Sequence, residues 1–70
     1  MGKWGAASAT KVLKALLRIG WREVRRNGSH RTLVHADGRR FTFAFHDGES
    51  IGPKMLARIG KHTGLQPDDV

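Results

Sequence analysis

Residues 21–46, WREVRRNGSHRTLVHADGRRFTFAFH, decide how this chain folds. Asn27-Gly28 and Asp37-Gly38 are dipeptides that tolerate positive φ, the requirement of tight two-residue hairpin turns. They divide the stretch into three segments of strand-like composition: Trp21 to Arg26, Ser29 to His35, and Arg39 or Arg40 to His46. In the third, Phe41, Phe43 and Phe45 alternate on one face, the two-residue period of a half-buried strand. The reading is an antiparallel meander with a phenylalanine stripe facing the core rather than stacking on a ligand. Two-residue geometry at both turns would set His30 opposite Arg25. It would also put His30 on the face of Thr32, Val34, Phe41, Phe43 and Phe45. A one-residue change in loop length would move His30 to the other face.

On either side of the meander the apolar period changes to that of a helix. Val12, Leu13, Leu16 and Leu17 form one stripe between Thr10 and Ile19, and Lys11, Lys14 and Arg18 take the other side. Ser8 or Thr10 can cap the start, and Gly20 can take the left-handed position past the end, with Trp21 as the apolar contact beyond it. A second helix is expected from Pro53 to Thr63, with Met55, Leu56 and Ile59 as its apolar face. Pro53 suits the first helical position, Ile51 and Leu56 have the spacing of a hydrophobic staple, and Gly64-Leu65 closes the end. Gly60 inside this helix costs about 1 kcal/mol against alanine, which points to a close approach of another backbone. The order is helix, three strands, helix: an α+β domain whose two amphipathic helices cover one face of the sheet. Residues 10–65 make up this domain. Residues 1–9 read as an N-terminal extension open to disorder, and residues 66–70 as a frayed tail.

Seventy residues allow one domain with a thin core, burying about 60% of the surface that the unfolded chain exposes. Any chemistry must then sit on a surface or in a shallow groove, on a substrate large enough to bring its own binding area. The chain has no cysteine, which excludes disulfides and thiolate-bound zinc. No apolar run approaches the roughly 18 residues that span a bilayer. These features lead to the expectation of a cytoplasmic protein, monomeric when free, with no membrane partner. Thirteen Lys and Arg against six Asp and Glu leave a formal net charge of +7, which favours a polyanionic partner, nucleic acid first.

The chemistry-bearing residues lie along the meander. Arg22, Arg25, Arg26, Arg31, Arg39 and Arg40 gather positive charge on or beside the sheet, and guanidinium forks match phosphate oxygens. None of the four histidines, His30, His35, His46 and His62, has the spacing of a metal ligand pair on a helix. No metal and no cofactor is expected. Cleaving RNA needs neither, since a base can take the proton of the ribose 2′-hydroxyl for attack on the adjacent phosphorus. Histidine suits that role at neutral pH, and nearby cations hold the phosphate. Gly28-Ser29-His30 sets a histidine directly after a tight turn and among Arg25, Arg26 and Arg31. His46, near the end of the third strand, is a second candidate for proton transfer.

These pieces resemble the HicA toxins of bacterial HicA–HicB toxin–antitoxin pairs. The resemblance runs from about Thr10 to Leu65. It is carried by the helix ending in Gly20-Trp21 and by Asn27-Gly28-Ser29-His30, which is like the family's Lys/Asn-Gly-Ser-His. The turn His35-Ala36-Asp37-Gly38, the strand Phe41-Thr42-Phe43-Ala44-Phe45-His46, and the closing segment from Gly52-Pro53 to Gly64-Leu65 complete it. Ala44 and Ala36 stand where many members have proline, and Gly60 where an aliphatic residue is usual. The resemblance implies a fold like a double-stranded-RNA-binding domain and a messenger-RNA-cleaving toxin of the bacterial cytoplasm. It also implies His30 as the essential histidine, Gly28 and Ser29 as its motif partners, and a HicB-type antitoxin as protein partner. Arg25, Arg26, Ser29, Arg31 and Arg40 are the expected RNA contacts. Two alternatives share the charge and the architecture: a module that grips double-stranded RNA without cutting, and a protein–protein element that recognises an acidic partner.

Overall fold

The computed structural model describes residues 3–70. The element order is β1 (Ala7–Ser8), α1 (Ala9–Arg18), β2 (Trp21–Asn27), β3 (His30–His35), β4 (Arg40–Ala44), β5 (Ser50–Ile51), α2 (Pro53–Thr63) and a terminal 3₁₀ turn, Pro67–Asp69. β2, β3 and β4 form the expected three-stranded antiparallel sheet in that order, with β3 in the centre. The α+β architecture is like that of a double-stranded-RNA-binding domain.

Local chemistry accounts for the helix ends. The Ser8 hydroxyl accepts the Lys11 N–H at 3.2 Å, so α1 starts one residue earlier than its apolar stripe implies. Gly20 follows it at φ 105°, and a side chain there would meet the His35 ring at 2.9 Å. α2 begins at Pro53, flanked by buried Ile51 and Leu56, as a hydrophobic staple requires. Met55 departs from the expected apolar face of α2: it is 40% exposed, and the helix instead buries Leu56, Ile59 and Thr63. Thr63 is tolerated there because its hydroxyl donates to the Ile59 carbonyl and accepts from the Leu65 N–H.

The register differs from the expected one at both turns, by position at the first and by loop length at the second. The first turn is Gly28-Ser29, so Asn27 and not Arg25 pairs with His30, while Arg25 pairs with Thr32. A bulge between Glu23 and Arg25 then resets the pairing of β2. At the second turn Val34 pairs with Arg40 and the His35 N–H donates to the Arg39 carbonyl. Ala36, Asp37 and Gly38 (φ 95°) therefore form a three-residue connection, in which the left-handed residue is the glycine. One added loop residue inverts the facing of β3 against β4. His30, Thr32 and Val34 face away from the phenylalanine stripe, and Arg31, Leu33 and His35 share its side.

The core lies between that side of the sheet and the helices: Val12, Ala15 and Leu16 of α1, Leu56 and Ile59 of α2, and Trp21, Leu33 and Phe43 of the sheet. Each large aliphatic or phenylalanine side chain so buried contributes about 1.5–3 kcal/mol. Trp21 also satisfies its indole N–H on the Thr63 carbonyl at 3.1 Å, tying the sheet to the end of α2. The segments read as an extension and a frayed tail both pack on this core. β1 pairs with β5, Trp4 lies against the cluster, and Val70 joins it behind a 3₁₀ turn closed by a Gln66–Asp69 capping box. Met1 and Gly2 of the extension lie outside the described residues. Gly60 explains itself here: a methyl group at this position would come within 2.6 Å of the Leu65 carbonyl and 2.7 Å of the Trp4 ring.

Candidate active site

Both helices pack on one side of the sheet, so the other side is open. The register arranges nine of its residues in rows of cross-strand partners: Arg22, Val34 and Arg40; Arg25, Thr32 and Thr42; Asn27, His30 and Ala44. Rows succeed one another at about 7 Å along a strand, and neighbours within a row sit about 5 Å apart. Arg22, Arg25, Arg40 and His30 are all exposed, and among the described residues none of these three arginines enters an ion pair. No acidic side chain stands in the nine positions. His30 thus carries an accessible imidazole at the first position after the turn, with cations one and two rows away. In this register His30 does not share the face of the phenylalanines, as two-residue turns would have it do.

The expected basic cluster separates into two groups. Arg31, though adjacent to His30 in sequence, points to the opposite side. Its guanidinium donates to Glu23 at 2.7 Å and to Asp47 at 3.3 Å, with the side chain only 11% exposed. Its hydrogen bond to the Glu23 carboxylate is the first cause raising its pKa above the ordinary arginine value. Arg31 is therefore a strut that joins β2, β3 and the loop after β4, and not a free phosphate anchor. Beside it, Arg26, Gly28, Ser29, Phe45, His46 and Asp47 line a shallow recess at the turn. His30 is not among the residues of that recess. His46 and Ser29 thus sit on the Arg31 side of the turn while His30 leaves from the other, and the Gly28-Ser29 turn is the saddle between them.

The far end of β3 is built for structure. A carbonyl can only accept, so His35 Nε2, 3.2 Å from the Ile19 carbonyl, carries a proton. Nδ1 faces the Asp37 N–H and carboxylate, both at 3.4 Å, and the ring packs edge-on against Trp21. Asp37 in turn accepts the Arg39 backbone N–H at 3.0 Å and its side chain at 2.7 Å. The Arg39 backbone donor is the first cause holding the Asp37 carboxyl below its ordinary value. Arg39 also lies over the Trp21 ring, 5.3 Å from its centre. His35 and Arg39 are consequently occupied, and His35 is a whole strand away from His46. Among the described residues no group of three or more potential metal-ligating side chains comes together. No helix is long and apolar enough to cross a membrane.

Reasoning from the sequence missed Asn27, Thr32 and Thr42, the polar neighbours of His30 on the open face. The signal was present in the alternation of β3 and β4, but it needed the correct loop length to be read.

Fold and site together define a small basic α+β domain with a fold like that of a double-stranded-RNA-binding domain and an exposed histidine on the uncovered side of its sheet. A family model described as the HicA toxin of bacterial toxin–antitoxin systems matches residues 9–65 of the 70. The chain belongs to the HicA toxin family. It is thus a toxin of a toxin–antitoxin system, and the family implies an antitoxin as its partner. No individual curated protein matches the chain.

Proposed function

We propose that this toxin is an endoribonuclease that cleaves messenger RNA by acid–base catalysis on the open face, without a metal. The observation that carries the reading is the free imidazole of His30 on an open sheet face with Arg22, Arg25 and Arg40 and no carboxylate. His30 as general base removes the 2′-hydroxyl proton. O2′ then forms a bond to phosphorus as the bond to the 5′-oxygen breaks, leaving a 2′,3′-cyclic phosphate and a 5′-hydroxyl. The departing oxygen needs a proton. His46 is the candidate for that donation: it lies in the recess on the other side of the Gly28-Ser29 turn, with Arg26 and Ser29 beside it. Arg25, one row from His30, and Arg40, two rows away, offer guanidinium forks to flanking phosphates. The phenylalanines all lie on the other side, so the open face offers charge and hydroxyls to the sugar–phosphate chain but no stacking platform.

In the cell a HicB-type antitoxin would silence the chain by covering this face. The test is incubation of the free chain with a long RNA in EDTA, beside His30→Ala. Cleavage by the unmodified chain alone, with 2′,3′-cyclic phosphate ends, supports the assignment. Intact RNA in both reactions, with a salt-sensitive gel shift retained, turns the reading to a non-catalytic double-stranded-RNA-binding module.

A further inference from the structure

The two edges of the sheet are treated differently. β2 is interrupted by the bulge at Glu23–Arg25 and carries Arg22, Glu23, Arg25 and Arg26, devices that discourage pairing with another chain. β4 has a regular register from Arg40 to Ala44 with no bulge. The hydrogen bond from the His35 N–H to the Arg39 carbonyl fixes which pairs are bonded: 35 with 39, and by alternation 33 with 41 and 31 with 43. The N–H and C=O groups of Arg40, Thr42 and Ala44 therefore point outward, along the free edge. Alanine at position 44 keeps its N–H, so all three of these positions carry an outward donor.

That edge borders a groove of about 280 Å³ between β4 and α2. Its floor is Phe41, Phe45, Met55 and Ile59, and its outer wall includes Arg58 and His62. Phe41 and Phe45 are half-buried, and Met55 is one of the exposed large apolar side chains. No carboxylate lines the groove, and Lys54, Arg58 and Lys61 form a basic stripe along α2 at helical spacing. An outward backbone ladder, one apolar groove beside it and a basic wall match an extended, acidic segment that turns apolar side chains to the groove.

We propose that the antitoxin docks by adding such a strand to the β4 edge, with its apolar side chains in the Phe41–Met55 groove. Strand addition would also extend the open face. The partner residue opposite Ala44 falls in the row of Asn27, His30 and Ala44, about one strand spacing beyond Ala44. Docking at an edge thus brings partner side chains onto the open face about two strand spacings from His30, with only the small Ala44 between. The inference rests on this chain having an antitoxin, and it is independent of the ribonuclease chemistry.

The experiment is amide hydrogen exchange on the free chain and on its purified complex with the antitoxin, followed by binding titrations of variants. The Thr42 and Ala44 amides should exchange fast in the free chain and slow on complex formation, whereas Phe41 and Phe43 are protected in both. Ala44→Pro removes one outward donor without touching the bonds to β3, and should weaken antitoxin binding about tenfold while the free chain keeps its circular dichroism and Tm. Met55→Glu should weaken binding more than Met55→Lys, because the occupant is acidic. Unchanged exchange at Thr42 and Ala44 in the complex overturns the proposal whether or not the variants fold. So does binding by Ala44→Pro and Met55→Glu within about twofold of the unmodified chain, or slowing of the same two amides by RNA alone. Cleavage assays on the free chain report separately on the ribonuclease reading.

Discussion

His35 and His30 stand at the two ends of one strand. The His35 ring is held between the Ile19 carbonyl, the Asp37 loop and the Trp21 indole, and Gly20 must lack a side chain to admit it. His30 has only Asn27 and Ala44 as cross-strand partners and faces open solvent. The same residue type is a structural pin at one end and an available acid–base group at the other. What separates them is parity. Five residues apart, the two side chains leave opposite sides of the sheet, and the helices cover only one of those sides. A half-buried histidine such as His35 gives its nitrogens to fixed partners, while an exposed one keeps them for a substrate.

The largest effect that would break this contrast is on activity. His30→Ala should lower RNA cleavage by about 10²–10⁴-fold, the usual worth of a positioned acid–base group, with Tm unchanged. A variant that unfolds earlier but still cuts would reverse the roles of the two ends. His35→Ala should do the opposite: destabilise by about 1–3 kcal/mol in denaturant melts, through the unpaired Ile19 carbonyl and the space beside Trp21, with cleavage per folded molecule retained.

A smaller effect sharpens the division of the arginines. Arg25→Ala, on the His30 side, should reduce RNA affinity several-fold and lower the slope of log affinity against log salt by about 0.7, the value for one single-strand phosphate. Arg31→Ala, on the covered side, should leave that slope unchanged and lower Tm by releasing Glu23 and Asp47. Equal salt slopes for the two variants would mean that the sheet does not divide its charge as the register implies.

The smallest expected effect is at the His35 end. The folded-state pKa of Asp37 is depressed below its ordinary 3.8, so its stabilisation is present above that value and is lost as pH falls through the folded-state value beneath it. Asp37→Asn should therefore lower Tm slightly and by a constant amount from about pH 5 to 8, with the difference vanishing in acid. A difference that grew in acid would place the relevant carboxylate elsewhere.

The chain's own order of residues determined most of this architecture. Helical periods at 12–17 and 53–63, the phenylalanine alternation, the Ser8 cap and the Pro53 and Gly64 punctuation are local effects, set within one turn of helix or one pair of strand residues. They suffice for an α+β domain with two helices on one side of a meander. Composition alone pointed to a polyanion through the +7 charge, and Gly28-Ser29-His30 marked the histidine of interest. Tertiary structure decided which way that histidine points. The three-residue connection at Asp37-Gly38 is the one that puts Leu33 on the buried side with Phe43, and a strand's period of two turns one residue of error into a full inversion. The fates of Arg31, Met55 and the two termini were decided the same way. Each depends on a partner distant in sequence: Asp47 for Arg31, the groove beside β4 for Met55, Gly60 for Trp4 and the apolar core for Val70. No local pattern carries those distances, because they exist only once the helices have closed over the sheet.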